Sequence, residues 1–416
     1  MQSIKKNTLY LMFSQIVGYV FPLLTLPYLS HVFTPAQFGV MGVCQAITQY
    51  FIIVTDYGFN ITATREVSVW RNDKKRISEI FCNTLAAKLF LLLVCVGGMI
   101  GVVLFLDIVK GYETLLFCCF LGVIGNAMFP LWLFQGTELM KVPVFFVSLA
   151  KMLLLAAVFV LVKDENDLNV AALLLNGGNF LAGVFAIVYI AKKSLASLMA
   201  PKAKDIVLTM KEGWPVFLST VAISFYTTFN TVLLSYHTTA SDIGYYNAAD
   251  KIRIAIQSLF GPVTQALYPR IAHAAVNNKS YAISLIKKGT VLLLAITVPC
   301  AVILLFFSDI LVKYYLSDSY NGAIPYLQYL SFLPVVIAVA TAYCNWGLLG
   351  FGEGKLVSKI YVTFGLLHML YAIPLILHYK VTGVIVSVYT TQTLITIVTV
   401  YFYNKIRKSE RAVNGS

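Results

Sequence analysis

The sequence contains few charged residues, and its acidic residues are fewer than its basic ones. Only 12% of its 416 residues are charged, with 18 Asp and Glu against 31 Lys and Arg, whereas 59% are hydrophobic. The mean hydropathy is +0.80. Soluble domains typically devote about a quarter of their residues to charge. This shortage excludes an ordinary soluble domain and indicates a polytopic membrane protein.

The signatures of common enzymes and metal sites are also missing. The sequence has no phosphate-cradling P-loop, no nucleophile elbow and no pair of histidines with metal-ligand spacing. Its five histidines are scattered at or near the ends of apolar stretches, and its seven cysteines show no metal-ligand spacing. We therefore expect a transporter that is not an enzyme, hydrolyses no ATP itself and uses neither a cofactor nor a metal. A disulfide framework is not expected.

The net charge of +13 is compatible with nucleic-acid binding, but the distribution of the basic residues favours membrane topology as its explanation. They gather in alternate short loops between apolar stretches, so that 23 of the 31 fall on one side and four on the other. Cytoplasmic loops of membrane proteins carry such an excess of Lys and Arg. The pattern predicts that both termini are cytoplasmic and that no nucleic acid is bound.

Twelve apolar stretches of about 20 residues, the length that crosses a bilayer core, can be placed along the chain. The first follows Lys5 and Lys6 and imitates a signal peptide, but no cleavage site ends it, so we interpret it as a retained helix. The fold class is therefore an all-α polytopic membrane protein with twelve transmembrane helices. The stretches cover residues 9–30, 39–62, 83–106, 113–135, 143–162, 169–191, 214–236, 244–269, 289–308, 325–349, 357–378 and 381–403.

The two halves of the chain match at an offset of 205 residues, which relates Ser30 to Ser235 and Arg65 to Arg270. Six helices in each half give both halves the same orientation, with a central site at their interface. We therefore predict an N-terminal lobe over 1–191, a cytoplasmic linker over 192–213, a C-terminal lobe over 214–403 and a basic cytoplasmic tail over 404–416.

A polar stripe runs along the eighth stretch. Asn247, Asp250, Arg253 and Gln257 recur every three or four residues and so share one face, with Lys251 beside them. Charges at membrane depth usually face a bundle interior or a water-filled cavity, which predicts a substrate-binding site here. The alternative is that Asp250 and Arg253, three residues apart, neutralise one another.

Other polar residues of the apolar stretches extend this predicted site. Gln45, Gln49 and Thr227 offer neutral hydrogen-bonding groups, and Asp56, like Asp250, is a candidate for binding a coupling ion. Arg65 and Arg270 lie at cytoplasmic helix ends as candidate gate or entry residues, although topology alone explains them. Lys88 lies near the start of its predicted stretch, so we expect its amine to reach the membrane surface.

Three segments resemble one known family, the bacterial Wzx-type O-antigen flippases of the multidrug/oligosaccharidyl-lipid/polysaccharide exporter superfamily. They are Phe33-Thr34-Pro35-Ala36-Gln37-Phe38-Gly39, Asp56-Tyr57-Gly58-Phe59 leading to Arg65-Glu66, and the run from Pro130 to Glu138 with its Trp132-x-x-Gln135-Gly136-x-Glu138 pattern. The segment from Tyr245 to Lys251 is similar to a segment of the related lipid II flippases, in which basic cavity residues are implicated in pyrophosphate binding.

The resemblance implies two six-helix lobes around a central cavity in the bacterial inner membrane. It implies transport of undecaprenyl pyrophosphate carrying one oligosaccharide repeat unit from the cytoplasmic to the periplasmic leaflet. Two lobes that rock against each other would give alternating access, and H+ or Na+ at Asp56 or Asp250 is a hypothesis for the coupling ion. The expected partners are this substrate, membrane lipids and other polysaccharide-assembly proteins, with the monomer as the functional form. The alternatives are a multidrug/cation antiporter of the same superfamily and a membrane glycosyl transferase or polymerase.

Overall fold

The computed structural model describes residue 18 and residues 21–414. Every regular element in this part of the chain is helical, and no strand occurs in it. Nine of its helices are long and apolar enough to cross a membrane by length and composition. The all-α polytopic fold class is confirmed, whereas the count of twelve and the cytoplasmic position of the termini stay predictions. Most of the first predicted stretch and the last two residues of the predicted tail lie outside the described residues.

The chain divides into two compact units, Met1–Val221 and Ala222–Ser416. The division falls within one helix, α9, which begins at Ala203 and ends at Thr227. This helix therefore starts inside the segment that was predicted as a linker, and the predicted lobe boundaries stay a prediction. The helices that lie before α9 are α1 over residues 21–32, α2 Pro35–Asp56, α3 Phe59–Val69, α4 Lys74–Phe105, α5 Glu113–Met128, α6 Leu131–Gly136, α7 Lys141–Leu161 and α8 Leu168–Lys193.

The second unit has its own set of helices. A backbone break at Lys380, with φ 50° and ψ −125°, divides its last helix into two arms. These arms correspond to the last two predicted stretches. The helices are α10 Phe229–Leu234, α11 Ala240–Ser258, α12 Phe260–Asn277, α13 Lys279–Phe306, α14 Ser308–Tyr315, α15 Ile324–Leu330, α16 Leu333–Thr341, a π-helical segment Ala342–Leu348, and α17 Gly354–Asn414.

Helix starts in the two units repeat at the offset seen in the sequence. Thr34 caps α2 by accepting a hydrogen bond from the N–H of Gln37 at 3.3 Å, and Thr239 caps α11 in the same way from Asp242 at 3.2 Å. The next pair behaves alike, because Asp73 caps α4 and Asn278 caps α13, each at 3.0 Å from an N–H three residues later. Such side chains satisfy backbone donors that a helix start leaves open.

Glycine sets the distance between helices in the first unit. A Cβ atom on Gly125 of α5 would lie 2.3 Å from the backbone nitrogen of Phe180 in α8. Small residues permit this close backbone approach, which holds helices together where lipid gives no hydrophobic driving force between them. The α5–α8 contact therefore depends on the missing side chain.

We expect the substitution Gly125→Val to prevent accumulation of folded protein. The added side chain meets backbone, which cannot move away, and overpacking of this kind costs about 3 kcal/mol, the upper end of the usual range. The yield of monodisperse protein in size-exclusion chromatography measures the effect. Gly97→Ala is the matched control, because a Cβ there would meet nothing within 4 Å; equal yields for the two variants would contradict the prediction.

Two of the predicted stretches are each interrupted between two helices. Between α2 and α3, Tyr57 and Gly58 adopt positive φ values of 47° and 83°. The first part of α9 packs on this turn, with the rings of Tyr57 and Phe217 stacked at 4.7 Å. Between α11 and α12 the interruption lies at Leu259, so that the predicted stretch 244–269 consists of two helices. Both breaks lie close in the sequence to the polar residues described next.

Candidate functional site

The polar stripe of α11 is connected by hydrogen bonds along one helix face. The guanidinium of Arg253 donates from Nε to Oδ1 of Asp250 at 2.6 Å and from Nη1 to Oε1 of Gln257 at 2.5 Å. The side chains of Arg253 and Asp250 are 11% and 22% exposed. The predicted neutralisation of Asp250 by Arg253 therefore occurs, and the two bonds use two of the five N–H donors of the guanidinium.

Lys251 and Asn247 flank this connected stripe. Lys251 is half-buried, and its position one residue after Asp250 turns it about 100° around the helix axis. The Nδ2 atom of Asn247 is buried and has no acceptor within the described part of the chain. A buried donor without a partner carries a free-energy cost that a bound ligand could remove. The α11 face thus combines a neutralised pair, a further cation and an available amide.

Two predicted residues of the second unit, Thr227 and Arg270, lie outside α11. Thr227 is exposed and donates its hydroxyl to the carbonyl of Ile223 on its own helix at 3.1 Å. Arg270 is exposed in the second half of α12. The roles of both residues stay predictions.

In the first unit, α2 carries Gln45, Gln49 and Asp56. Gln45 is half-buried and Gln49 exposed, whereas Asp56 is the last residue of the helix. The Oδ1 atom of Asp56 accepts a hydrogen bond from Nδ2 of Asn60 at 2.5 Å and lies 3.9 Å from Nζ of Lys88. Arg65, further along α3, is exposed. Asp56 therefore has a cationic neighbour from a different helix, α4.

The expectation that Lys88 reaches the membrane surface is wrong. Its side chain is only 2% exposed, and Nζ donates to the backbone carbonyl of Asn126 at 3.1 Å. The error came from the helix boundary: α4 starts at Lys74, so 14 residues, or about 21 Å of helix, precede Lys88. Asp73 as the N-cap would have revealed this start, because Asp is a preferred N-cap residue.

A cavity of about 250 Å³ lies next to this buried charge pair. Four amide side chains line it, from Asn60, Asn126, Gln135 and Asn179, together with apolar groups such as Phe129. Two of these amides belong to residues that contact the pair, since Asn60 bonds Asp56 and Asn126 accepts from Lys88. Neutral amides at membrane depth suit a ligand with hydroxyl or amide groups.

In the pattern Trp132-x-x-Gln135-Gly136-x-Glu138, Gln135 lines this cavity and the neighbouring residues hold α6 against α3. A Cβ atom on Gly136 would lie 2.6 Å from Cβ of Val67, so only glycine permits the approach of α6 to α3. Thr64 of α3 donates its hydroxyl to Oε1 of Gln135 at 3.2 Å. Trp132 is buried, and Glu138 pairs with Arg71 at 2.7 Å. The pattern is thus explained by packing around a polar cavity.

Comparisons with known proteins agree with these features. Residues 4–275 match the family described as "Polysaccharide biosynthesis protein". The chain is 31% identical over 394 residues to a "Putative O-antigen transporter" of Escherichia coli (strain K12), with 95% of each protein covered. It is 33% identical over 394 residues to a "Putative O-antigen transporter" of Shigella dysenteriae, with 94% of this chain and 98% of that protein covered.

Solved structures share the fold at low sequence identity. An inward-facing MATE family multidrug resistance transporter of the MOP superfamily matches with a TM-score of 0.73 and 13% identity, over 96% of both chains. The lipid II flippase MurJ in an inward closed conformation matches with a TM-score of 0.69 and 15% identity, over 96% of this chain and 87% of that one. At such identities the likeness establishes the fold alone.

Proposed function

Because the chain belongs to the polysaccharide biosynthesis protein family, we propose that it is a flippase of lipid-linked oligosaccharides. It is a multi-pass protein of the bacterial inner membrane. In this proposal it moves undecaprenyl pyrophosphate carrying one O-antigen or oligosaccharide repeat unit from the cytoplasmic to the periplasmic leaflet by alternating access. The observation that carries the proposal is the charged stripe on α11 in a chain whose relatives are named as O-antigen transporters.

The pyrophosphate is the part of such a substrate that the membrane opposes most strongly, because a charge in about 30 Å of hydrocarbon is costly. The α11 face supports its passage. Arg253 and Asp250 together carry no net charge, and Lys251 adds one positive charge beside them. A cation that is partly removed from water attracts an anionic headgroup more strongly than an exposed cation does. We assign pyrophosphate binding to Lys251, assisted by Arg253.

The sugars need hydroxyl and amide partners, and the predicted neutral residues can supply them. Asn247 and Gln257 lie on the α11 face, Gln45 and Gln49 lie on α2, and Thr227 lies at the end of α9. When such groups lose hydrogen bonds to water and gain hydrogen bonds to sugar hydroxyls, the net free-energy change is small. In this proposal the lipid tail stays in the bilayer, and only the headgroup crosses the hydrocarbon layer of about 30 Å.

The predicted lobes would expose the headgroup site to the two leaflets in turn, as in transporters built from parallel repeats. In this scheme Arg65 and Arg270, both exposed, guard the cytoplasmic entry. An inside-negative potential favours outward movement of an anion by about 2.3 kcal/mol per charge per 100 mV. Export therefore has a driving force even without a coupled ion.

An H+ or Na+ ion bound at Asp56 or Asp250 is a further part of the proposal. Each carboxylate already has a cationic neighbour, Lys88 at 3.9 Å and Arg253 at 2.6 Å, which an incoming ion would have to replace. The test is flipping by purified protein in liposomes with and without a pH or sodium gradient. The absence of any response to either gradient would remove the coupling ion from the mechanism.

We expect Arg253→Ala to reduce export less than loss of Lys251 does. The substitution removes one cation but also leaves Asp250 without its partner, so part of the effect comes from an unpaired carboxylate. Surface polysaccharide at matched protein levels is the measurement, and the double variant R253A/D250N separates the two causes. Export that is restored in the double variant would mean that the guanidinium serves only to neutralise Asp250.

Two other functions are separated by one experiment. A multidrug/cation antiporter of the same fold would move organic cations, and a glycosyl transferase or polymerase would change the chemistry of the lipid-linked sugar. Purified protein in liposomes is given a labelled lipid-linked oligosaccharide, and leaflet position and chemical identity are both measured. Relocation without chemical change supports the flippase; a changed product, or relocation of cations only, contradicts it. The leaflet on which lipid-linked sugar accumulates in a deletion strain gives the corresponding result in cells.

A further inference from the structure

His368 lies fully buried within the first arm of α17, which corrects the expectation that the histidines lie at or near span ends. It is 0% exposed, 14 residues after the start of the helix. Its ring nitrogens contact two other buried side chains, Asn230 of α10 and Thr391 of the second arm. An ionisable side chain buried in a membrane span is a candidate functional group by default.

The hydrogen bonds around His368 assign its tautomer. Nδ2 of Asn230 donates to the carbonyl of Tyr226 at 3.2 Å, so Oδ1 of Asn230 faces the ring and accepts from Nε2–H at 3.0 Å. The proton of the neutral ring therefore lies on Nε2. Nδ1, at 2.6 Å from Oγ1 of Thr391, then accepts the hydrogen of that hydroxyl. Tyr371 in turn donates to Oγ1 of Thr391 at 2.6 Å.

The same network has a second arrangement that accommodates one more proton. Oγ1 of Thr391 also lies 2.8 Å from the carbonyl oxygen of Ser387. If a proton binds Nδ1, the ring donates to Thr391, and the hydroxyl hydrogen of Thr391 turns to Ser387. Tyr371 continues to donate to Thr391, whose oxygen has two lone pairs. Protonation thus replaces the bond from the Thr391 hydroxyl to Nδ1 with one to Ser387, and every donor keeps an acceptor in both arrangements.

The groups that surround the ring do not compensate a positive charge. The titratable side chains nearby are the phenols of Tyr226 and Tyr371, with ring centres 6.2 and 5.5 Å from that of His368, and the Cys344 thiol and Tyr361 phenol beside Tyr226. These are ordinarily neutral near pH 7. None of the ion pairs between described residues involves His368.

From these observations we propose that His368 is a proton-binding site of the second unit and that its proton is exchanged during transport. A buried imidazolium without a carboxylate partner favours a conformation in which water reaches it. Because the network joins α10 to both arms of α17, binding of a proton biases the arrangement of these three segments. A Cβ atom on Gly365, one turn before His368, would lie 2.2 Å from the carbonyl oxygen of Ala222, so the first arm of α17 also packs closely on the end of α9.

The proton site itself is tested without any transport assay. In a variant whose other histidines, His31, His237, His273 and His378, are replaced, ¹⁵N NMR of the labelled imidazole reports one residue. We expect the Nε2–H tautomer at high pH and a reversible change to the doubly protonated ring as the pH falls over the range from about 8 down to about 3 in which the protein stays folded. A ring that stays neutral over this range in folded protein, or one that shows the Nδ1–H tautomer, overturns the proposal.

The link to transport rests on the proposed flippase function and is tested in proteoliposomes. One proton exchanged per substrate makes a gradient of one pH unit change the steady-state leaflet ratio of labelled lipid-linked sugar by about tenfold. We expect this response in the native protein and in His378→Asn, whose histidine is exposed on the same arm. The variant His368→Gln keeps a donor toward Asn230 but binds no proton. In this variant the gradient should leave the leaflet ratio unchanged, a change of about one-fold.

The possible results separate the two proposals. A tenfold response in His368→Gln, or no response in native protein that flips, overturns the role of His368 in coupling. No flipping at all overturns the proposed function, and the NMR titration then decides the proton site by itself. If His368→Gln does not accumulate, Thr391→Val retains the histidine and removes the partner of Nδ1; a full response in that variant overturns the network described here.

Discussion

Replacing Lys251 with alanine should abolish surface polysaccharide while the protein still inserts and accumulates. The half-buried amine adds a second cation beside the Asp250–Arg253 pair, so its loss removes a positive charge next to the α11 stripe. A pyrophosphate headgroup would then enter the membrane without a charge-assisted partner. We expect a loss of at least about 100-fold in export, the size of effect that a lost charge-assisted contact of about 3 kcal/mol produces.

Two lysine variants make this measurement specific. Lys251→Arg keeps the charge and should retain part of the export, because Arg and Lys differ in geometry but both bind phosphate. Lys287→Ala removes an exposed lysine of α13 and should leave surface polysaccharide unchanged. Protein level is measured by immunoblot of membranes. Normal polysaccharide in Lys251→Ala at matched level would remove Lys251 from the site.

The buried pair of the first unit should show a strong asymmetry between its single variants. Asp56→Asn leaves Lys88, whose side chain is 2% exposed, without its carboxylate, whereas Lys88→Met leaves Asp56, which is 29% exposed. Breaking a buried pair costs about 3 kcal/mol or more when the remaining charge cannot reach water. Asp56→Asn should therefore lower the thermal stability of the purified protein more than Lys88→Met does.

The double variant D56N/K88M decides whether charge pairing causes this loss. Replacing both members removes the uncompensated charge, so its melting temperature should exceed that of Asp56→Asn. The measurement is the melting temperature of detergent-solubilised protein, followed by chromatography after heating. A double variant that is no more stable than Asp56→Asn would mean that the loss comes from the Asn60 hydrogen bond to Asp56 instead. Export measured on the same variants shows whether the pair also serves transport.

The sequence predicted much of the fold because the relevant signals are local. Apolar stretches of about 20 residues specify membrane spans without reference to any distant residue. The N-caps Thr34, Asp73, Thr239 and Asn278 mark helix starts through bonds to residues three positions later. The connection of Asp250 with Arg253 was also foreseeable, because side chains three residues apart share a helix face.

The positions of helix ends in the bilayer were harder to read. A hydropathy window detects the apolar middle of a helix and misses its polar first turns, which placed Lys88 near an end. The break at Tyr57 and Gly58 also went unpredicted, although a glycine with φ 83° permits it. These errors changed the interpretation of single residues and left the fold class untouched.

By itself, the amino-acid sequence determined the all-α membrane class and the polar face of α11, since each depends on neighbours within a few residues along one helix. Only the tertiary structure decided which groups from different helices meet. It brought Lys88 to Asp56 and Asn126, and it joined His368 to Asn230 across 138 residues of sequence. A buried polar group must find its partner in the packed interior, and a periodic pattern specifies the face on which it lies but not the helix that packs against that face.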